Sequence, residues 1–203
     1  MEKEFENGLK MLSSASIIML VAYIVTGIDI LLMPFLRVYT LIMPPRLYVN
    51  YPRMSHPFVA IIAVAIALAG VGLGLYAVLA KLSKGLDLLG QWKGDIKGVS
   101  PLAVWGLAAG LILLGISSIL LPLTLPGRAI ALVLSYLSLL LGYVGLGTIV
   151  IKLGTYLNSS TFTLAGAFSI ISALIPLFAP ITWLVLFIEA NTQAVRAGEA
   201  PKQ

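Results

Sequence analysis

The stretch PFVAIIAVAIALAGVGLGLYAVLA at residues 57–80 decides the fold. It contains no charged residue, and it is long enough for a helix that crosses a bilayer, which needs about 20 apolar residues. A helix at the surface of a soluble protein would place polar residues along one face. The stretch therefore predicts a transmembrane helix.

Four other stretches share this character, and together the five predict spans at 12–36, 57–80, 101–121, 129–151 and 164–188. Pro57 and Pro101 stand at first-turn positions, where the missing N–H removes no helical hydrogen bond. We predict an all-α integral membrane bundle of about five transmembrane helices. Its parts are a polar N-terminal segment (1–11), the transmembrane domain (12–188) and a polar tail (189–203).

The composition supports a lipid-facing surface. Of the 203 residues, 60% are hydrophobic and 10% are charged, against roughly 45–50% and 25% in soluble proteins. The net charge of +5 comes from scattered lysines and arginines, whereas a nucleic-acid surface would cluster them with stacking aromatics. The chain has no cysteine and one histidine, His56, which excludes disulfides and thiolate sites. We expect a lipid bilayer as partner, with no nucleic acid, metal or cofactor.

Two longer connections differ in character. Residues 37–56 mix arginine, tyrosine and proline, which is typical of an aromatic belt in the headgroup region. Residues 81–100 carry four lysines, and Leu82, Leu86 and Leu89 recur on one helical face. This spacing predicts a short amphipathic helix lying on the membrane surface.

The distribution of Lys and Arg bears on orientation, since they accumulate in cytoplasmic loops. With five alternating spans, seven fall on the side of the N-terminus and six on the other. The four-lysine connection favours a cytoplasmic N-terminus in the cell membrane, with the C-terminus outside. The sequon Asn158-Ser159-Ser160 favours the reverse, because glycosylation needs an outward loop.

An internal match also appears in the chain. Val71-Gly72-Leu73-Gly74 is repeated as Val144-Gly145-Leu146-Gly147, and Lys-Leu follows each copy within a few residues. One interpretation is a parallel duplication of a helical hairpin. The other is chance, because Gly and Leu dominate these helices.

Small residues recur at helical spacing in the spans. Without a hydrophobic drive between helices in lipid, small residues allow the close backbone approach that associates them. The GxxxG pairs among them fit contacts within the bundle, with a second copy of the chain, or with another membrane subunit. The predicted helix-packing residues are Gly70, Gly74, Gly106, Gly110, Gly142 and Gly145.

Asp29 is the candidate functional residue, because it is the one ionisable group well inside a predicted span. A carboxylate there should face the bundle interior, be protonated or pair with a cation such as Arg37. The alternative is a structural acid near the helix end. Pro176 and Pro180 predict a kink in the fifth span. Interrupted helices line the substrate sites of transporters, but proline kinks also occur in ordinary membrane bundles.

No catalytic motif accompanies these features, and the spans supply too few convergent polar groups for an active site. We therefore predict a protein that is not an enzyme. The leading interpretation is a non-catalytic accessory or structural component of a membrane assembly. The alternative is a small channel or secondary transporter that uses Asp29 and the kinked helix.

Several short motifs stand out at residues 8–12, 85–89, Gly115, 145–156 and 178–183. Through these motifs the chain resembles a family of archaeal multi-pass membrane proteins of unknown function. The resemblance implies a helical membrane fold and an archaeal origin, and it brings no known activity or site residue.

Overall fold

The computed structural model describes residues 2–42, 55–119 and 125–199, with side chains at 3–27, 61–119, 126–127 and 129–199. Helices make up nearly all of these ranges. They are α1 (Glu2–Ile42), α2 (Ser55–Tyr76), a π-helical turn (Ala77–Leu82), α3 (Ser83–Trp92), α4 (Gly94–Lys97), α5 (Ser100–Ile119), α6 (Leu125–Tyr156), α7 (Ser160–Leu174), a 3₁₀ turn (Pro176–Phe178) and α8 (Ala179–Glu199).

The prediction of an all-α membrane bundle is confirmed. Five helical segments are long and apolar enough to cross a membrane: Lys3–Gly27, Ile61–Trp92, Gly94–Ile119, Ala129–Tyr156 and Pro176–Glu199. A sixth apolar helix, Ser160–Leu174, is shorter. Its 15 residues span about 22 Å, less than the hydrocarbon core of about 30 Å.

The helices form a closed ring in which each packs against the next. The order is α1, α2, α5, α6, α7, α8 and back to α1. Helix α1 is enclosed at its N-terminal end, where Leu9, Leu12 and Met19 are fully buried between α2, α3 and α8. The apolar core therefore surrounds the first half of α1.

The prediction of a separate surface helix in residues 81–100 is wrong. Helix α3 continues the second span through the π-helical turn without a break, so one helical segment runs to Trp92. Leu82, Leu86 and Leu89 are completely buried. Gly85 allows this packing, because its Cβ position lies 3.1 Å from Gly8 O of α1. The apolar face that we expected to contact lipid contacts α1 instead.

The predicted fifth span, 164–188, is two helices rather than one kinked helix. The chain leaves α7 at Ile175 with extended backbone (φ −126°, ψ 91°) and starts α8 at Ala179. Ser172 and Thr182 bond each other across the turn, while Ser159 at the other end of α7 bonds Glu189 of α8. These contacts make α7 and α8 an antiparallel hairpin.

The turn of this hairpin is entirely apolar. Residues 173–181 contain no polar side chain, and Leu177 is 83% exposed. Tyr136 Oη donates to Leu174 O, which places the turn beside the twelfth residue of α6. The turn therefore stops about 16 Å short of the beginning of α6.

The two ends of the described chain lie together, which contradicts the prediction of opposite faces. A Cβ placed on Gly198 would lie 3.3 Å from Glu6 Oε1. The end of α8 therefore lies beside the start of α1, at what we call the N-terminal face. The physical reason is the additional reversal of the chain at Ile175.

The two copies of the Val-Gly-Leu-Gly motif have different surroundings in the structure. A Cβ on Gly72 would have nothing within 4 Å, whereas a Cβ on Gly145 would lie 2.7 Å from Ala103 N. The second span also changes to a π-helical turn, while α6 remains α-helical through Lys152. The two copies of the motif therefore pack differently.

Candidate functional site

The predicted packing glycines of α5 and α6 lie where the two backbones touch. A Cβ on Gly106 would lie 2.5 Å from Gly142 N, and one on Gly142 would lie 2.5 Å from Leu107 N. Gly110 and Gly145 face Leu139 and the backbone of Ala103 at similarly short distances. No side chain fits at these positions without moving a backbone.

The glycines of α2 serve the neighbouring interfaces. Gly70 faces the side chain of Thr26 and Ala22 O of α1, the latter 3.2 Å from its Cβ position. The Cβ position of Gly74 lies 3.1 Å from Leu111 Cδ1 of α5 and 3.7 Å from Met19 Sδ. Both GxxxG pairs are thus used inside the bundle, which leaves them covered by the chain itself.

Sequence analysis missed the glycine contact between α6 and α7. Gly147 and Gly166 face each other, each with its Cβ position 2.8 Å from the other's carbonyl oxygen. One signal was available, because Gly147 follows Gly145 in the repeated motif. Gly166 stands alone in its helix, so spacing could not reveal it.

A buried hydrogen-bond network around Tyr143 joins four helices, and sequence analysis missed it. Trp183 Nε1 of α8 donates to Tyr143 Oη at 3.0 Å, and the hydroxyls of Tyr23 in α1 and Tyr143 bond each other. Ser169 Oγ of α7 donates to Tyr143 O at 2.9 Å. Tyr143 and Trp183 are 2% and 0% exposed. The mid-span position of Tyr143 was the available signal, since belt aromatics stand at span ends.

The reversal at Ile175 is stabilised by side chains that satisfy polar groups in an apolar setting. Ser172 Oγ donates to Phe168 O at 2.7 Å and lies 2.9 Å from Thr182 Oγ1. Tyr136 Oη lies 3.2 Å from Leu174 O, one of the carbonyls that α7 leaves free at its end. Pro176 begins the 3₁₀ turn and Pro180 lies in the first turn of α8, where neither ring breaks a helix.

Glu189 of α8, the first residue of the predicted polar tail, is a buried carboxyl. It is 8% exposed, and its Oε1 accepts from Ser159 Oγ at 2.7 Å and from Gln193 Nε2 at 2.8 Å. Ser159 also caps α7, because its Oγ accepts from Phe162 N. Glu189 therefore fastens α8 to the start of α7.

The connection before this cap is a Schellman motif that ends α6. Asn158 has φ 50°, and Ser159 N donates to Gly154 O at 2.8 Å across the turn. Asparagine tolerates this left-handed conformation better than most residues. A local structural need thus accounts for Asn158.

An exposed group that we call the aromatic–lysine cluster lies at the N-terminal face. Lys93 Nζ lies 5.2 Å from the ring centroid of Trp92 and 5.1 Å from that of Tyr156. Asp95 Oδ2 accepts from Tyr156 Oη at 2.5 Å and pairs with Lys152 Nζ at 3.2 Å. Trp92 also packs on Phe5 of α1, with 4.4 Å between ring centroids. The cluster consists of Phe5, Trp92, Lys93, Asp95, Lys152 and Tyr156.

The principal sequence candidate, Asp29, belongs to α1, but its side chain lies outside the described residues. The same holds for Arg37, its suggested partner, and for His56. Within the described ranges, no group of three or more His, Asp or Glu side chains is close enough to hold a metal ion. The polar groups that the described structure brings together act mainly as links between helices.

Comparison with known proteins found no relative of this chain. No family model, curated protein or solved structure matches the chain. The resemblance to an archaeal membrane family therefore stays a prediction.

Proposed function

We propose that the protein is a non-catalytic component of a membrane assembly that binds a partner transmembrane helix on the outer face of α2. The partner is a second copy of the chain or another membrane subunit. The observation that carries the proposal is an outward stripe of small residues at Ala65, Ala69 and Gly72.

The stripe has the spacing and the free space that a second helix requires. Its members are all exposed and recur at intervals of four and three residues, so they share one helix face. A Cβ on Gly72 would meet no atom within 4 Å. Ile61 and Leu73 stand exposed near it and provide the larger side chains of a groove. Small residues on one face let another backbone approach closely in lipid.

The hydrogen bonds in the described interior of the bundle favour a structural role over a catalytic one. Its polar side chains bond each other or nearby carbonyls, as Tyr143, Ser172 and Glu189 do. An active site instead needs a nucleophile, acid or base positioned where a substrate can reach it.

The same topology supports a cytoplasmic N-terminus. Since α8 ends at the N-terminal face, Arg196 joins the seven lysines assigned to that side from the sequence. The bias of Lys and Arg towards one face therefore increases, and such a bias marks the cytoplasmic side.

A matched pair of alanine substitutions tests the proposal. Ala69→Leu fills the stripe, whereas Ala129→Leu adds the same atoms at an exposed position of α6. We expect native mass spectrometry in mild detergent to show that Ala69→Leu loses the partner at unchanged melting temperature, while Ala129→Leu keeps it. A wild-type protein isolated from its native membrane that carries neither a second copy nor another subunit, both in detergent and in lipid nanodiscs, would overturn the proposal.

A channel or secondary transporter is the second candidate, favoured by the helix reversal between α7 and α8. Interrupted helices form substrate sites in many transporters. In liposomes this candidate requires a flux that Asp29→Asn abolishes in a protein that still folds. No flux across a broad panel of ions and metabolites would leave the assembly component as the better account.

A further inference from the structure

The aromatic–lysine cluster leaves one positive charge without an acidic partner. Lys93 lies over two aromatic rings, and no carboxylate of the described residues forms an ion pair with it. The rings attract the ammonium through their quadrupoles and limit its rotamers, but they carry no negative charge. Lys93 is therefore held in place without being neutralised.

Asp95, the acidic residue of the cluster, already has other partners. Asp95 Oδ2 lies 2.5 Å from Tyr156 Oη and 3.2 Å from Lys152 Nζ, and Lys152 also donates to Asp95 O at 3.3 Å. Lys97 adds another exposed cation nearby, since its Cβ lies 3.1 Å from the Cβ position of Gly90. The cluster itself thus contains two lysines, Lys93 and Lys152, against one acidic residue, Asp95.

The position of the cluster matches the headgroup layer. Trp92 and Tyr156 end the helical segments Ile61–Trp92 and Ala129–Tyr156, both of spanning length. Tryptophan and tyrosine prefer this level of the membrane, where lipid phosphates also lie. Lys93 and Lys97 remain exposed to that layer.

We propose that the aromatic–lysine cluster binds the headgroup of an anionic phospholipid, with Lys93 as the cation that contacts its phosphate. Trp92 and Tyr156 position Lys93, while the Asp95–Lys152 pair fixes α4 against the end of α6. The excess positive charge favours an anionic headgroup over a zwitterionic one, whose own cation offsets the phosphate. This site is separate from the small-residue stripe on α2.

Native mass spectrometry of the full-length protein tests the site by titration with phosphatidylglycerol or phosphatidylcholine. We expect the wild type to prefer phosphatidylglycerol, and Lys93→Gln to weaken that binding roughly fivefold. Lys84→Gln is the matched control, because it removes the same charge from an exposed position on α3 outside the cluster. Lys93→Arg should restore binding, since arginine keeps the charge and binds aromatic faces.

Each result bears on the proposal. Equal losses in Lys93→Gln and Lys84→Gln would replace a defined site with a diffuse electrostatic effect. A wild type without preference for the anionic lipid would overturn the proposal whether or not the variants fold. Displacement of the lipid by inorganic phosphate at millimolar concentration would show a general anion site and would overturn the assignment to lipid.

Discussion

The hairpins α5–α6 and α7–α8 are held together by different interactions. In α5–α6, Gly106 and Gly142 bring two backbones into direct contact. In α7–α8, Ser172 bonds Thr182, and Phe168 stacks on Phe178 with 6.3 Å between ring centroids. The first interface depends on the absence of side chains, and the second depends on particular side chains.

The difference explains why the sequence pointed to the packing residues of the α5–α6 hairpin but gave no sign of the α7–α8 hairpin. Glycines at a spacing of four mark a close helix contact wherever they occur. A chain reversal in a soluble protein is marked by polar turn residues, but residues 173–181 have none. An apolar turn suits hydrocarbon as long as its carbonyls are satisfied, as Tyr136 satisfies Leu174 O.

The largest expected effect concerns topology, where labelling is all or none. The chain has no native cysteine, so single cysteines at the exposed positions Gly98, just before α5, and Glu199 can be labelled with an impermeant reagent. We expect both to react from the same side, because the α7–α8 hairpin returns the chain to the N-terminal face. Labelling from opposite sides would mean that residues 160–199 cross the membrane an odd number of times.

A cysteine at Leu177 sharpens the same test. Leu177 is 83% exposed in an apolar turn that stops short of the beginning of α6. We expect the impermeant reagent to reach it from neither side, because a thiol in hydrocarbon stays protonated and unreactive, whereas labelling should appear once the protein is unfolded in SDS. Reaction with the impermeant reagent from the side opposite Gly98 would show that the turn emerges from the bilayer.

The next effect contrasts two glycines that differ only in their surroundings. Gly142→Ala should cost about 3 kcal/mol, because its Cβ would overlap backbone that cannot move aside as a flexible side chain can. Gly72→Ala should be neutral or stabilise by up to about 1 kcal/mol, because its Cβ meets no atom of the chain within 4 Å and alanine is as small as Ala65 and Ala69, the other members of the stripe. Reversible unfolding in mixed micelles measures both. Similar free energies of unfolding for the two variants would show that the α5–α6 contact is looser than described.

The sequence predicted best the features that a lipid environment requires directly, namely apolar spans and close helix contacts. Long apolar runs gave the fold class, and glycine spacing gave the residues at the α5–α6 and α1–α2 contacts. Interactions between residues distant in the chain left no local pattern: Tyr23 and Tyr143 are 120 positions apart, and Ser159 and Glu189 are 30 apart. The surface helix was wrong for a related reason, since an amphipathic face does not specify whether lipid or α1 covers it.

A smaller effect should follow removal of the hydroxyl at the centre of the buried network. Tyr143→Phe deletes the acceptor of Trp183 Nε1 and the partner of Tyr23 while it leaves the rings packed. We expect a loss of about 1–2 kcal/mol, since two buried polar groups lose their partner. Tyr76→Phe serves as the control, because Tyr76 is 52% exposed on α2. Equal stability of Tyr143→Phe and the wild type would mean that other groups replace the lost bonds.

The smallest effect is expected where α7 and α8 meet at the turn. Thr182→Val keeps the side-chain shape and removes the hydroxyl that lies 2.9 Å from Ser172 Oγ. Ser172 still donates to Phe168 O at 2.7 Å, so the loss should be about 0.6 kcal/mol, the average for such bonds in membrane proteins. A double-mutant cycle with Ser172→Ala isolates the pair from the separate bonds that each hydroxyl makes to its own helix. A coupling energy near zero would assign the hairpin to the packing of Phe168 on Phe178, and the two hairpins would then both depend on close packing.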